Sequence, residues 1–137
     1  MKKVVIFGTF DVFHPGHASF LKQAKKLGDS LLVVVARDFH VQRVKNKLPL
    51  NSEKSRAQKI RRFKLADQVI LGSKTHNFYR TLRSHKIDIL ALGYDQKPTV
   101  AELKRDLRRH RLGEVKIVRL RGLKPEIYKT SKLQKES

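Results

Sequence analysis

His14 and His17 stand three residues apart around Pro15-Gly16, at the end of the stretch Gly8-Thr9-Phe10-Asp11-Val12-Phe13-His14-Pro15-Gly16-His17. Imidazoles at i and i+3 reach the same side of a helix entry. Their N–H groups can donate to phosphate oxygens and stabilise negative charge that grows in a transition state. Pro15 suits a first helical turn, where a missing N–H costs nothing. Gly16 lets a ligand approach the backbone closely. A helix starting here would add its own N–H groups and positive dipole end, both favourable to phosphate. The other reading of the same residues is a capping loop with two surface histidines.

The elements that must position this stretch are legible in the apolar pattern. Val4-Val5-Ile6-Phe7 is a buried strand ending at Gly8. Ala18, Leu21, Ala24 and Leu27 have helical spacing, and Gly28 follows as a glycine stop. Leu31-Leu32-Val33-Val34-Val35-Ala36 is a continuous apolar strand, the mark of a parallel sheet covered on both faces. A helix from Ser52, its N-cap, to Phe63 follows, then a strand at Gln68–Leu71, a helix from Asn77 to His85 and a strand at Ile87–Leu92. A helix from Val100 to Arg111, ending near Gly113, leads to a strand at Val115–Val118, and a helical turn or two closes the tail from about Thr130. No helix or strand is read between Ala36 and Ser52. Alternation through five strands predicts an α/β fold, a Rossmann-like doubly wound five-stranded parallel sheet in a single domain over residues 1–137. Ligands of such sheets sit at the carboxyl ends of the strands, so the segments after Phe7, Ala36 and Leu92 are expected to carry function.

Composition sets the outer limits. The chain has 137 residues, with 32 Lys and Arg against 12 Asp and Glu, a formal net charge of +20. Such a surface attracts polyanions, whether nucleotides, phosphorylated metabolites, nucleic acid or anionic membrane. No stretch alternates basic and aromatic residues as a base-stacking platform would. The absence of cysteine excludes disulfides, thiolate metal sites and cysteine nucleophiles. His40, His76, His85 and His110 are scattered without metal-ligand spacing, so no protein metal site is expected. No apolar run approaches a membrane span, and Met1-Lys2-Lys3 leads straight into the first strand without the apolar stretch of a signal peptide. The expected location is cytoplasmic.

The G-T-F-D-x-x-H-x-G-H run resembles the HxGH nucleotidyltransferase superfamily, in its cytidylyltransferase-like branch, which includes glycerol-3-phosphate cytidylyltransferases and archaeal FAD synthases. The resemblance runs from Val4 to about Leu133. It implies that Gly8, Thr9, Phe10, Asp11 and Gly16 line a nucleotide site beside His14 and His17. It implies that the basic stretch Arg43-Val44-Lys45-Asn46-Lys47 contacts phosphates, through Lys45 or Lys47. Glu53-Lys54-Ser55-Arg56 resembles an acidic element that opens a helix and sends an arginine, here Arg56, to the nucleotide. Leu92-Gly93-Tyr94-Asp95-Gln96 resembles the family's G-x-D segment near base and sugar, in wording closest to the archaeal FAD synthases. Thr130 and Ser131 match the closing hydroxyls of a late triphosphate motif. There Lys124 stands for its arginine, Ile127 for its glycine and Lys129 for its first serine. The tail from about residue 122 would close over the nucleotide.

The implied reaction is nucleotidyl transfer. A phosphate of the acceptor attacks the α-phosphorus of a nucleoside triphosphate and pyrophosphate leaves. The acceptor is already ionised, so alignment and charge stabilisation carry the catalysis. Asp11 would orient the acceptor or a metal-bound water, and Mg²⁺ or another divalent cation would bridge phosphates. The first reading is adenylyl transfer from ATP to FMN, and the alternative is cytidylyl transfer from CTP to a small phosphorylated alcohol such as glycerol 3-phosphate. The expected partners are therefore a nucleoside triphosphate and a phosphorylated small molecule, with no membrane. The resemblance also implies a homodimer. Two rivals come from other classes. A basic nucleic-acid-binding module is permitted by the charge, and a catalytically silent nucleotide sensor by the altered last motif.

Overall fold

The computed structural model describes residues 1–72, 78–93 and 99–122. Its strands are β1 (Lys3–Gly8), β2 (Ser30–Val35), β3 (Gln68–Leu71), β4 (Ile89–Leu92) and β5 (Lys116–Arg119). Its helices are α1 (Pro15–Lys25), α2 (Asp38–Lys45), α3 (Glu53–Phe63), α4 (Phe78–Ser84) and α5 (Val100–Arg109). All strand pairs are parallel, in the order β3-β2-β1-β4-β5. The order turns back at β1, with β2 on one side and β4 on the other, so the crevice for a ligand opens above the carboxyl end of β1. The predicted five-stranded α/β fold is the observed one. Among the described residues no helix is long and apolar enough to cross a membrane.

The continuous apolar strands are explained by two cores. Val4, Ile6, Leu31, Val33 and Val35 face one side, against Leu21 and Ala24 of α1 and Ala57 and Ile60 of α3. Val5, Leu32 and Val34 face the other, against Leu82 of α4 and Leu103 and Leu107 of α5. Alternate residues along each strand enter opposite cores, so both sets must be apolar. The register runs Lys3 to Ser30 through Gly8 to Val35, which brings the carboxyl ends of β1 and β2 level.

Aspartates pin the opposite, amino end of the sheet. Asp29, Asp67 and Asp88 each precede a strand and accept a backbone N–H from a neighbouring one. Their donors are Lys2 at 2.6 Å, Leu31 at 2.7 Å and Lys3 at 2.8 Å. A quarter of the chain's few acidic residues therefore sit away from the crevice.

Two local expectations are corrected. Residues 38–45, where no helix is expected and whose last part is expected as a basic loop, form α2. Glu53 accepts the N–H of Asp38 at 3.0 Å and so caps that helix from a distant point in the chain. Gly28 is no left-handed helix stop, since no described glycine has positive φ. A Cβ at Gly28 would lie 2.7 Å from the carbonyl oxygen of Lys2, so the glycine is there for close packing against β1. The left-handed positions that end or follow helices are instead Asn46, Lys64, Lys86 and Arg111. At Arg111 the N–H of Leu112 reaches the carbonyl of Leu107 at 2.7 Å, closing α5 just short of Gly113. The tail from residue 123, with its expected helical turns, lies outside the described residues.

Candidate active site

The site is built at the switch point. β1 ends at Gly8, the chain turns through residues 9–14, and α1 starts at Pro15 with His14 as its N-cap. His14 Nδ1 accepts the N–H of Gly16 at 3.0 Å. That bond fixes the neutral tautomer, leaving the proton on Nε2 as a donor. The His17 ring stacks on it, with centroids 3.8 Å apart and planes 24° apart. The two imidazoles thus share one side of the helix entry, as their spacing predicts.

Aromatic packing supports His17 from behind. Phe10 meets it edge-on at 5.2 Å and Phe13 lies 5.7 Å away. Phe10 is buried and has φ of 53°, a strained left-handed conformation for so bulky a residue. A Cβ on Gly8 would come within 2.7 Å of its ring. Gly8 is therefore explained by the room Phe10 needs, and Phe10 acts as a support for His17.

Both histidines are uncharged at neutral pH. Burial pushes the His17 pKa down to about 3, helped by the neighbouring His14 and by the positive charge of Lys45, against a bond to the Val12 carbonyl that raises it. Partial burial lowers His14 as well. A neutral imidazole has a single N–H. A phosphoryl oxygen at the ring would compete with the Val12 carbonyl for that hydrogen.

A frame of buried polar groups fixes the rim. Asp11 is fully buried, and its carboxylate accepts the N–H groups of Leu50 at 2.7 Å and Asn51 at 2.8 Å. Arg56 is also fully buried. It donates to Thr9 O at 2.8 Å, to Asn51 O at 3.0 Å and to Asp38 Oδ1 at 2.7 Å. Arg37 donates to Glu53 at 3.2 Å and to the Gly72 carbonyl at 2.6 Å. These bonds join the loop after β1, the start of α2 and the start of α3 into one unit. Asp11 and Arg56, expected at the ligand, make these bonds within the frame. Their polar atoms are turned inward to backbone groups and to Asp38. Asn51, Asp38 and Arg37 escaped the sequence reading, because nothing local marks partners such as Glu53 and Asp11, which lie 15 to 40 residues away.

The other expected residues fall as follows. Thr9 is half-buried and offers its carbonyl to Arg56. Gly16 opens α1 beside the histidines. Lys45 ends α2, exposed, with its charge felt at His17. Lys47 is exposed in the segment beyond Asn46, with no described contact to the histidines. Gly93 follows β4, with its carbonyl accepting from Arg119 at 2.8 Å. Tyr94, Asp95, Lys124, Ile127, Lys129, Thr130 and Ser131 lie outside the described residues.

A family model described as cytidylyltransferase-like matches residues 5–134, nearly the whole chain. The chain belongs to the cytidylyltransferase-like family. The matched span takes in the histidine pair, its aromatic support and the frame of Asp11 and Arg56. An FAD synthase of Aciduliprofundum boonei is 43% identical over 121 residues, covering 88% of this chain and 79% of that protein. An FAD synthase of Pyrococcus abyssi is 40% identical over 134 residues, covering 97% and 90%. The crystal structure of a lipopolysaccharide core biosynthesis protein from Thermoplasma volcanium superposes with a TM-score of 0.83 at 42% identity, covering 90% of this chain and 98% of that one. The sequence resemblance to the cytidylyltransferase-like branch is borne out.

Proposed function

We propose that this nucleotidyltransferase transfers the adenylyl group of ATP to FMN, giving FAD and pyrophosphate. The observation that carries the reading is the stacked pair His14 and His17 at the entry to α1, in a chain about 40% identical to FAD synthases over most of its length. An oxygen of the FMN phosphate attacks the α-phosphorus of ATP. A new P–O bond forms, the bond to the β-phosphate oxygen breaks, and both bonding electrons leave with pyrophosphate.

The chain's part is alignment and donation. The α1 N-terminus and the two neutral imidazoles supply hydrogen-bond donors to the phosphates. Lys45, with Lys47 beyond it, supplies point charges at the rim. The charge balance at the crevice supports a polyanionic ligand, because Asp11, Asp38 and Glu53 already accept bonds from within the frame. Tyr94 and Asp95 would meet base and sugar, and Thr130 and Ser131 the leaving phosphates, with the tail closing over them within a single domain.

The resemblance implies a divalent cation. Among the described residues no three His, Asp or Glu side chains converge to hold one. The carboxylate of Asp11 is taken up by two backbone N–H groups. These residues do not fit a protein-built metal cage, so no step is derived through a resident metal. The cation belongs with the substrate, carried on the triphosphate oxygens.

The test is incubation with Mg²⁺, ATP or CTP, and a panel of FMN, glycerol 3-phosphate and a sugar phosphate. Pyrophosphate release and product chromatography are the readouts. Release with ATP and FMN alone, with FAD as product, is expected. Turnover only with another pair would overturn the assignment.

A further inference from the structure

The apolar face of α2 outlasts the core that covers it. His40 and Val41 are buried, yet Val44, one turn beyond both on the same face, is 79% exposed. The chain then passes the left-handed cap at Asn46 and sets out two more uncovered side chains, Leu48 at 59% and Leu50 at 63%. Arg43, Lys45 and Lys47 interleave with them, all exposed. Scattered exposed hydrophobics need no explanation, but three within seven residues, around a lysine whose charge is felt at His17, mark a contact surface. This strip is held rigid at both ends. Asp38 is tied to Arg56, and Leu50 to Asp11 on the loop that leads to the histidines.

We propose that Val44, Leu48 and Leu50 form the seat for the flavin ring of the acceptor, with the interleaved lysines directed to its phosphate. The proposal rests on the reading of the reaction given above and names the part of the chain that would choose its acceptor. The occupant must combine a flat apolar body with negative charge, and it must reach the histidine pair. An isoalloxazine ring carrying a phosphate on a short ribityl arm meets all three demands. A second copy of this chain, at +20, would bring like charge to a cationic strip.

The test compares the parent with a Val44→Ser, Leu48→Ser double variant. FMN binding is followed by flavin fluorescence, and steady-state rates are measured with ATP and FMN. The variant is expected to bind FMN about tenfold more weakly and to show a matching rise in KM for FMN, as loss of apolar contacts in a substrate pocket does. Its KM for ATP should stay within about twofold, and its flavin-free melting temperature should be unchanged, because exposed side chains lose little on truncation. Equal FMN affinity in both proteins would overturn the seat while leaving the reaction intact. A lower flavin-free melting temperature, or a changed molecular mass, would also overturn it, by showing the strip covered by the chain or by another copy. If the parent makes no FAD, the reaction assignment falls. The fluorescence comparison then decides the seat alone, a tenfold difference supporting it and none overturning it.

Discussion

The depressed pKa of His17 has a measurable consequence for stability. In the unfolded chain this histidine titrates near 6.5, and in the folded chain near 3. Between those values the unfolded state holds the extra proton. The stabilisation from His17 is complete above 6.5 and drains away as the pH falls toward 3. At ~pH 5 the medium lies ~1.5 units below the unfolded value, which costs about 2 kcal/mol relative to neutral pH. Urea unfolding followed by circular dichroism at ~pH 7 and ~pH 5 should show this loss in the parent. A His17→Asn variant keeps a donor for the Val12 carbonyl but cannot titrate, so its loss over the same range should be smaller by about 2 kcal/mol. His14 is also lowered by burial, but it titrates in both proteins and largely cancels from the difference. Parallel pH dependences in parent and variant would refute the neutral, buried state of His17 and the mechanism built on it.

Three further outcomes separate ligand-holding residues from those that hold the frame. His14→Ala and His17→Ala should each lower turnover by ~10² or more in a folded protein, as loss of a transition-state donor does; circular dichroism and single-turnover rates check this. Arg56→Met should lower unfolding free energy by about 3 kcal/mol, because it removes a buried cation bonded to Asp38 and two carbonyls. A variant as stable as the parent but weak in ATP binding would return Arg56 to a ligand role. Gly8→Ala and Gly28→Ala both force a contact of 2.7 Å and should each cost about 1–3 kcal/mol in urea unfolding. Only Gly8→Ala should also depress turnover, since its methyl meets the ring that supports His17.

The fold was legible because its cores demand so much of the strands. Val4 to Ile6 and Leu31 to Val35 are apolar without a break, since alternate residues enter opposite cores. Only a parallel sheet covered twice asks for that. Ser52 was legible as an N-cap for the same local reason: its hydroxyl accepts the N–H of Ser55 at 3.2 Å, three residues on. α2 was not legible. Its segment Asp38–Lys45 buries only His40 and Val41, too few to write a helical period. What sustains it comes from Glu53 and Arg56, whose partnership with Asp38 spans 15 and 18 residues. The helix ends near Phe63, His85 and Arg111 were legible to within two residues, but their left-handed caps at Lys64, Lys86 and Arg111 were not, because basic residues there take the conformation that sequence patterns assign to glycine.

At the site, residue type was readable but direction was not. His14 and His17 were correctly paired, because i and i+3 on one helix entry is a local relation. Asp11 and Arg56 have the right chemistry and lie in the right segments, yet both are turned inward. A carboxylate in a loop of this kind can grip a ligand, or it can grip the loop that grips the ligand. Composition is blind to the choice, since either use conserves the same charge. Burial decides it: a fully buried Asp11 is affordable only because Leu50 and Asn51 supply N–H donors. The same bonds that hold Asp11 fix the segment bearing Leu48 and Leu50. Removing the carboxylate would then act on the acceptor indirectly, by loosening that segment. Asp11→Ala should therefore raise KM for FMN together with a loss of stability of about 1–3 kcal/mol, whereas truncation at Val44 and Leu48 should raise KM for FMN without one.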